Sequence, residues 1–183
     1  MISNNSTKIK MKKELRKIFN NKHKIKDNIC DEIINFLESF EFKSICLYNN
    51  IKNELNIDKV FNYLINKDVH IIYPFMKKDD DKMTILFKEY NGHFVYDDYK
   101  IKSTDGNLID INFCDIILIP GLAYNKYGYR LGYGKGFYDI ALKDYRGIKI
   151  GVVSEENIIN DHFEEAHDIK VDYLVSEKRI IKI

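Results

Sequence analysis

The chain has little cysteine, little arginine, no surplus of charge of either sign and no long apolar run. Its three cysteines, Cys30, Cys46 and Cys114, are odd in number, far apart and never in a C-x-x-C arrangement. That excludes a disulfide framework and a cysteine-based zinc site, and it fits a reducing, cytoplasmic setting. No stretch approaches the roughly 18 apolar residues of a membrane span. The start, MISNNSTKIKMKK, has no apolar segment behind its charges, so no secretory leader is expected. Lys and Arg total 29 against 28 Asp and Glu, a net charge of +1. No field covers the whole molecule, so neither nucleic acid nor a membrane surface is expected as a partner, and any phosphate contact is local. Only 4 of the basic residues are arginine, which makes each arginine the more informative cation. The histidines add no ligand pattern: His162 and His167 are five apart, and no helix puts them on one face.

What is present suits one compact domain spanning 1–183, with 45% hydrophobic and 13% aromatic residues to build a core. Thr7 is placed to cap a helix running to about Asn20, with Met11, Leu15, Ile18 and Phe19 at three- and four-residue spacing and Lys12 and Arg16 on another face. Asp27 opens a second helix carrying Ile29, Cys30, Ile33, Ile34, Leu37 and Phe40 inward. Ser44 to Tyr48 reads as a buried strand, Asn56 as the cap of a helix with Val60, Phe61, Leu64 and Ile65, and Val69 to Tyr73 as a strand that Pro74 ends. Met83 to Tyr90 reads as a further strand, which Asn91-Gly92 turns back through His93 to Tyr96 as a hairpin. CDIILI, from Cys114 to Ile119, is the most apolar strand, and a helix from Phe137 to Tyr145 and strands at Ile148 to Val153 and Asp172 to Val175 follow. The expected fold is an α/β sandwich: a mostly parallel central sheet flanked by helices, with one antiparallel hairpin.

Chemistry concentrates between Pro120 and Asp139, PGLAYNKYGYRLGYGKGFYD. Gly132, Gly134 and Gly136 alternate just before a helix, which leaves backbone N–H groups free to face an anion without a Cβ in the way. Arg130 and Lys135 bracket them as phosphate cations, and Asp139 is a carboxylate suited to a metal that bridges phosphate oxygens. The segment fits neither a P-loop, since Gly136 follows Lys135, nor a dinucleotide fingerprint, since Phe137 stands three after Gly134. An isolated G-x-G-x-G also reads as a flexible turn; the attached Arg130, Lys135, Tyr138 and Asp139 favour the phosphate cradle.

The chain resembles the 5-formyltetrahydrofolate cyclo-ligase family, whose hallmark is a strand ending in P-G-L-A-[FY] followed by R-L-G-x-G-x-G-[YF]-Y-D. Pro120 to Tyr124 and Arg130 to Asp139 reproduce its order and spacing. The family's opening K-x-x-L-R falls on Lys12 to Arg16, and its closing H-D-x-x-x-D on His167 to Asp172. Phe137 stands where tyrosine is commoner, Asn157 where glutamine is usual, and Phe163-Glu164-Glu165 lacks the customary proline.

The resemblance implies cyclisation of 5-formyltetrahydrofolate, with or without a polyglutamate tail, to 5,10-methenyltetrahydrofolate with ATP as co-substrate and Mg²⁺ as metal. ATP phosphorylates the formyl oxygen, N10 attacks the resulting iminium phosphate, and phosphate leaves. By the family pattern Lys12, Arg16, Arg130, Leu131, Gly132, Tyr133, Gly134, Lys135, Gly136, Phe137 and Tyr138 serve ATP. Glu54, Lys135, Phe137 and Tyr138 serve the folate, Asp139 and Asp168 the metal, and Arg130 and Lys135 the phosphoryl transfer. Taken alone, Lys12 and Arg16 read as a solvated helix face, Asp139 as a first-turn helix carboxylate, Asp168 as a surface turn and Glu54 as a residue leading into the Asn56 cap. A monomeric enzyme is expected; a nucleotide-binding regulator and a different small-molecule kinase on the same scaffold are the alternatives.

Overall fold

The computed structural model describes residues 2–19, 28–80 and 82–183. Four helices are α1 (Ile2–Phe19), α2 (Ile29–Leu37), α3 (Asp58–Leu64) and α4 (Phe137–Ala141). The first six strands are β1 (Ser44–Cys46), β2 (His70–Asp79), β3 (Lys82–Glu89), β4 (Val95–Tyr96), β5 (Lys102–Ser103) and β6 (Ile116–Pro120). The remainder are β7 (Ala123–Asn125), β8 (Arg130–Leu131), β9 (Ile148–Val152), β10 (Ile158–Ile159), β11 (Tyr173–Val175) and β12 (Ile180–Lys182). Seven of them form one sheet in the order β12-β11-β9-β6-β1-β2-β3. Its inner pairings are parallel, and only the two edge strands, β3 and β12, run antiparallel to their neighbours. This is the mostly parallel α/β sheet that the alternation of strands and helices predicts.

Apolar runs become central strands because both faces of the sheet are covered. Ile45 and Leu47 face the layer of α2 and α3, where Ile33, Leu37, Val60 and Leu64 meet them, while Cys46 between them faces the other side. β6 divides likewise: Ile116 and Leu118 face one core, Ile117 and Ile119 the opposite one with Leu142 and Tyr145. Each such fully buried side chain contributes about 2 kcal/mol of apolar burial. The central strands therefore define a rigid platform, and their carboxyl ends open into the loops that carry the site.

Several sequence expectations need correction. Thr7 is not a cap, since α1 begins at Ile2 and continues through it; the expected start of α2 at Asp27 lies outside the described residues, and the helix proper opens at Ile29. Ile18 does not pack inward: it is 55% exposed, while Met11, Leu15 and Phe19 make the apolar contact. Asn56 supports α3 from one position further out, its Oδ1 accepting from Asp58 N at 2.8 Å.

Pro74 does not end its strand. β2 runs on to Asp79 and pairs with β3 from Ile72 to its end, so the hairpin forms here rather than at Asn91-Gly92. The reason is the flank on which Pro74 lacks a donor. The Pro74 carbonyl accepts from Ser103 Oγ on the side where β1, which pairs only as far as Ile72, has already finished. The Asn91-Gly92 turn instead leads to β4, which pairs with β5. α4 is shorter than expected, ending at Ala141, and the stretch after Val153 supplies β10, which joins β7 and β8 in a small separate sheet.

Candidate active site

The loops after β1 and β6, the glycine segment and the β4–β5 loop converge at the carboxyl end of the sheet on two adjoining chambers. The smaller, about 230 Å³, is lined by Lys12, Arg16, Arg130, Gly132, Gly134, Gly136, Asp139, Glu165, His167 and Asp168. The larger cleft, about 570 Å³, takes Tyr48, Glu54, Pro74, Met76, Ile85, Tyr133, Lys135, Phe137 and Tyr138 among its walls. Arg130, Gly134 and Gly136 line both.

Arg130 enters from β8. Its guanidinium carbon lies 4.9 Å from the Tyr138 ring centroid, its Nη2 is 3.6 Å from Asp139 Oδ2, and Nη1 donates to Pro120 O at 3.5 Å. Its buried Nε has no hydrogen-bond partner among the described residues. Gly132 allows the guanidinium this close: a Cβ there would stand 2.7 Å from Nη1. Gly134, at φ 96°, holds a backbone shape that side-chain-bearing residues resist and lies against the Arg16 guanidinium.

α1 supplies two more cations. Lys12 is buried, its ammonium 2.6 Å from Asp168 Oδ2 and 2.8 Å from Glu165 Oε2, and Arg16 Nε donates to Gly132 O at 2.8 Å. Burial lowers the Arg16 pKa, against the opposing pull of Asp168 and Glu165. Lys12 and Arg16 are thus a docking face, where spacing alone gives only a solvated stripe. Asp139 Oδ1 accepts from Ile169 N at 3.1 Å, which ties α4 to the strand-end segment that carries Asp168.

The metal-ligating atoms of Glu165, His167 and Asp168 lie within 4.8 Å of one another. Two carboxylates beside a phosphate-sized chamber suit a hard, oxygen-seeking cation, and the Lys12 ammonium already lies against both. Sequence reasoning named Asp168 but missed Glu165 and His167, although the local E-x-H-D run was a readable signal.

In the larger cleft Glu54 Oε2 accepts from Ile51 N at 3.1 Å, and burial pushes the carboxyl up from 4.5 to about 7, with the Ile51 N–H and Arg130 pulling the other way. Tyr133 shares its hydroxyl with the same turn, at 3.4 Å from Ile51 O. Phe137 and Tyr138 form apolar wall, and Lys135 is exposed on this side alone. The Leu131 side chain is fully buried with Phe19, Leu122 and Phe163, so only its backbone is available to a ligand. Asn157 holds the Pro-Gly-Leu turn, its Nδ2 donating to Leu122 O at 2.8 Å.

The family model of the 5-formyltetrahydrofolate cyclo-ligases matches residues 3–177. The chain belongs to the 5-formyltetrahydrofolate cyclo-ligase family. A Haemophilus influenzae protein of that name is 25% identical over 182 residues, covering 88% of this chain and 95% of its own. A Mycoplasma pneumoniae protein of the same name is 29% identical over 74% of each chain. Among solved structures, the Aquifex aeolicus 5,10-methenyltetrahydrofolate synthetase superposes with a TM-score of 0.78 at 28% identity, covering 94% of this chain and 92% of that one. The Mycoplasma pneumoniae synthetase superposes with a TM-score of 0.72 at 26% identity, covering 93% and 98%. The chain is accordingly a folate cyclo-ligase, an enzyme of the ligase class. No helix among the described residues is long and apolar enough to cross a membrane.

Proposed function

We propose that this cyclo-ligase closes 5-formyltetrahydrofolate to 5,10-methenyltetrahydrofolate at the expense of ATP, releasing ADP and phosphate. The observation that carries the reading is the position of Arg130, which lines the small polar chamber and the larger apolar cleft together. A phosphoryl donor in the first and a flat aromatic acceptor in the second meet at one guanidinium, whose Nε has no hydrogen-bond partner among the described residues.

The chemistry requires such a meeting point. The formyl oxygen attacks the γ-phosphorus of ATP, the bond to ADP breaks, and an iminium phosphate results. N10 then attacks the formyl carbon and loses its proton, and the C–O bonding pair leaves with phosphate. Positioning and charge neutralisation are what a protein contributes to such a transfer. Arg16, Lys12 and the backbone of 132–136 hold the phosphates, Arg130 follows the phosphoryl group across, and Lys135 meets it from the folate side. Phe137 and Tyr138 pack on the rings, and Glu54, its carboxyl pushed up to about 7 by burial, accepts hydrogen bonds from the pterin. Asp168, Glu165 and Asp139 would hold Mg²⁺, which when bound neutralises phosphate charge.

The test is the methenyltetrahydrofolate absorbance when purified protein meets 5-formyltetrahydrofolate and Mg²⁺, with and without ATP. Product only with ATP supports the proposal. ATP binding without product from folded protein sinks it and favours a nucleotide-binding regulator.

A further inference from the structure

Three described residues other than glycine hold a positive φ: Lys52 at 48°, Asp80 at 49° and Lys100 at 62°. A residue with a Cβ resists this backbone, and where one persists the surroundings impose it. Asp80 is accounted for by the turn between β2 and β3. Lys52 and Lys100 come from separate loops, yet both line the larger cleft.

Each stands on a built turn. Lys52 follows Ile51, whose N–H donates to Glu54 Oε2 and whose carbonyl accepts from Glu54 N at 2.9 Å. Lys100 sits in a loop closed by Asp97, only 5% exposed: Oδ1 accepts from Tyr99 N and Ile101 N, both at 2.9 Å, and Oδ2 from Met76 N at 3.0 Å. Both lysine side chains are exposed and neither has an ion pair among the described residues. Lys102 also lines the cleft but on an ordinary strand backbone, its ammonium 4.0 Å from the Phe94 ring centroid; Lys52 makes a looser contact, 5.3 Å from the centroid of Tyr133.

The cleft offers these cations no free carboxylate of its own. Its acidic lining residues are Asp97, committed to three N–H groups, and Glu54, committed to the Ile51 N–H and driven toward its neutral form by burial. The anion must come with the ligand. Phosphates belong to the other chamber, and at neutral pH the negative groups of a reduced folate are its glutamyl carboxylates. The geometry points to Lys52 and Lys100 as the residues that bind the glutamyl carboxylates of the folate, each presented by a left-handed turn in the lining of the cleft. This inference rests on the folate reading above. It assigns substrate preference to two residues outside the motif that places the chain in its family.

Glycine is the decisive substitution, because it suits the same backbone and removes only the side chain. In Lys52→Gly and Lys100→Gly, KM is measured for 5-formyltetrahydrofolate and for the uncharged pteroyl amide lacking glutamate. The wild type should favour the tailed substrate, and each glycine variant should lose about fivefold of that advantage, as for a solvent-facing ion pair. Tm should stay at or above the wild-type value, Lys100→Arg should keep the advantage, and Asp80→Gly should leave it unchanged. An unchanged advantage in both glycine variants, no advantage in the wild type, or equal rises in KM for the two substrates overturns the assignment while leaving the folate reading intact. Absence of product from the wild type with either substrate overturns the folate reading itself, and this one with it.

Discussion

The Arg130 guanidinium stacks on the ring of Tyr138, 4.9 Å from its centroid, while its Nη2 faces Asp139 Oδ2 at 3.6 Å. A planar cation held by both a ring and a carboxylate is fixed in orientation, and a lysine ammonium has no such plane. Arg130→Ala should lower kcat/KM by about a hundredfold or more, and Arg130→Lys by at least about tenfold. Steady-state kinetics beside a thermal melt check this; near-wild-type rates in the lysine variant would remove the planar fork from the argument.

Gly132→Ala tests the same residue from behind. The new methyl would stand 2.7 Å from Arg130 Nη1, the movable end of a side chain, so the guanidinium shifts and the backbone stays. Activity should fall about tenfold with Tm nearly unchanged. A large loss of Tm would show that the loop backbone, not Arg130, gives way.

Lys12 neutralises two half-buried carboxylates. Lys12→Ala leaves Glu165 and Asp168 without their cation and should cost about 3 kcal/mol in chemical denaturation. The bared pair should then take a divalent ion, so Mg²⁺ should raise the Tm of the variant more than that of the wild type. Equal Mg²⁺ responses would place the metal elsewhere.

Glu54 gives a pH signature. Its carboxyl loses its proton near 4.5 when unfolded and about 7 when folded. Between these values the unfolded chain has released a proton that the folded chain retains, so this group's contribution to stability falls as pH rises and is flat above about 7. Glu54→Gln removes the effect, and its Tm relative to wild type should climb from pH 4.5 to 7 and then level. A constant difference across that window would mean the carboxyl ionises normally.

Much of this was readable along the chain. The unbroken apolar run in CDIILI places β6 in the sheet interior, and the Pro120–Asp139 segment marks the candidate site, because hydrophobic run length and a glycine cradle are local properties. Lys12 was not readable in the same way: at four-residue spacing from Arg16 it looks like any solvated pair, and only Glu165 and Asp168, more than a hundred residues on, make it a buried counter-ion. The β2–β3 hairpin was misplaced because Asn91-Gly92 carries the stronger turn signal, and because a proline is tolerated wherever its missing donor faces no neighbour. Asp97 was missed because a carboxylate that closes a loop has no sequence signature apart from the backbone it binds.

The sequence by itself determined the main-sheet strands β1, β2, β3, β6, β9 and β11 with the helices between them, and the glycine loop with Arg130 and Asp139, since each follows from periodicity, residue type or short-range spacing. Only the tertiary structure decided which charges are buried, that the glycine loop serves two chambers, and which side each predicted residue faces. Ion pairing, burial and the approach of one loop to another join residues far apart in the chain, and no local pattern encodes those distances.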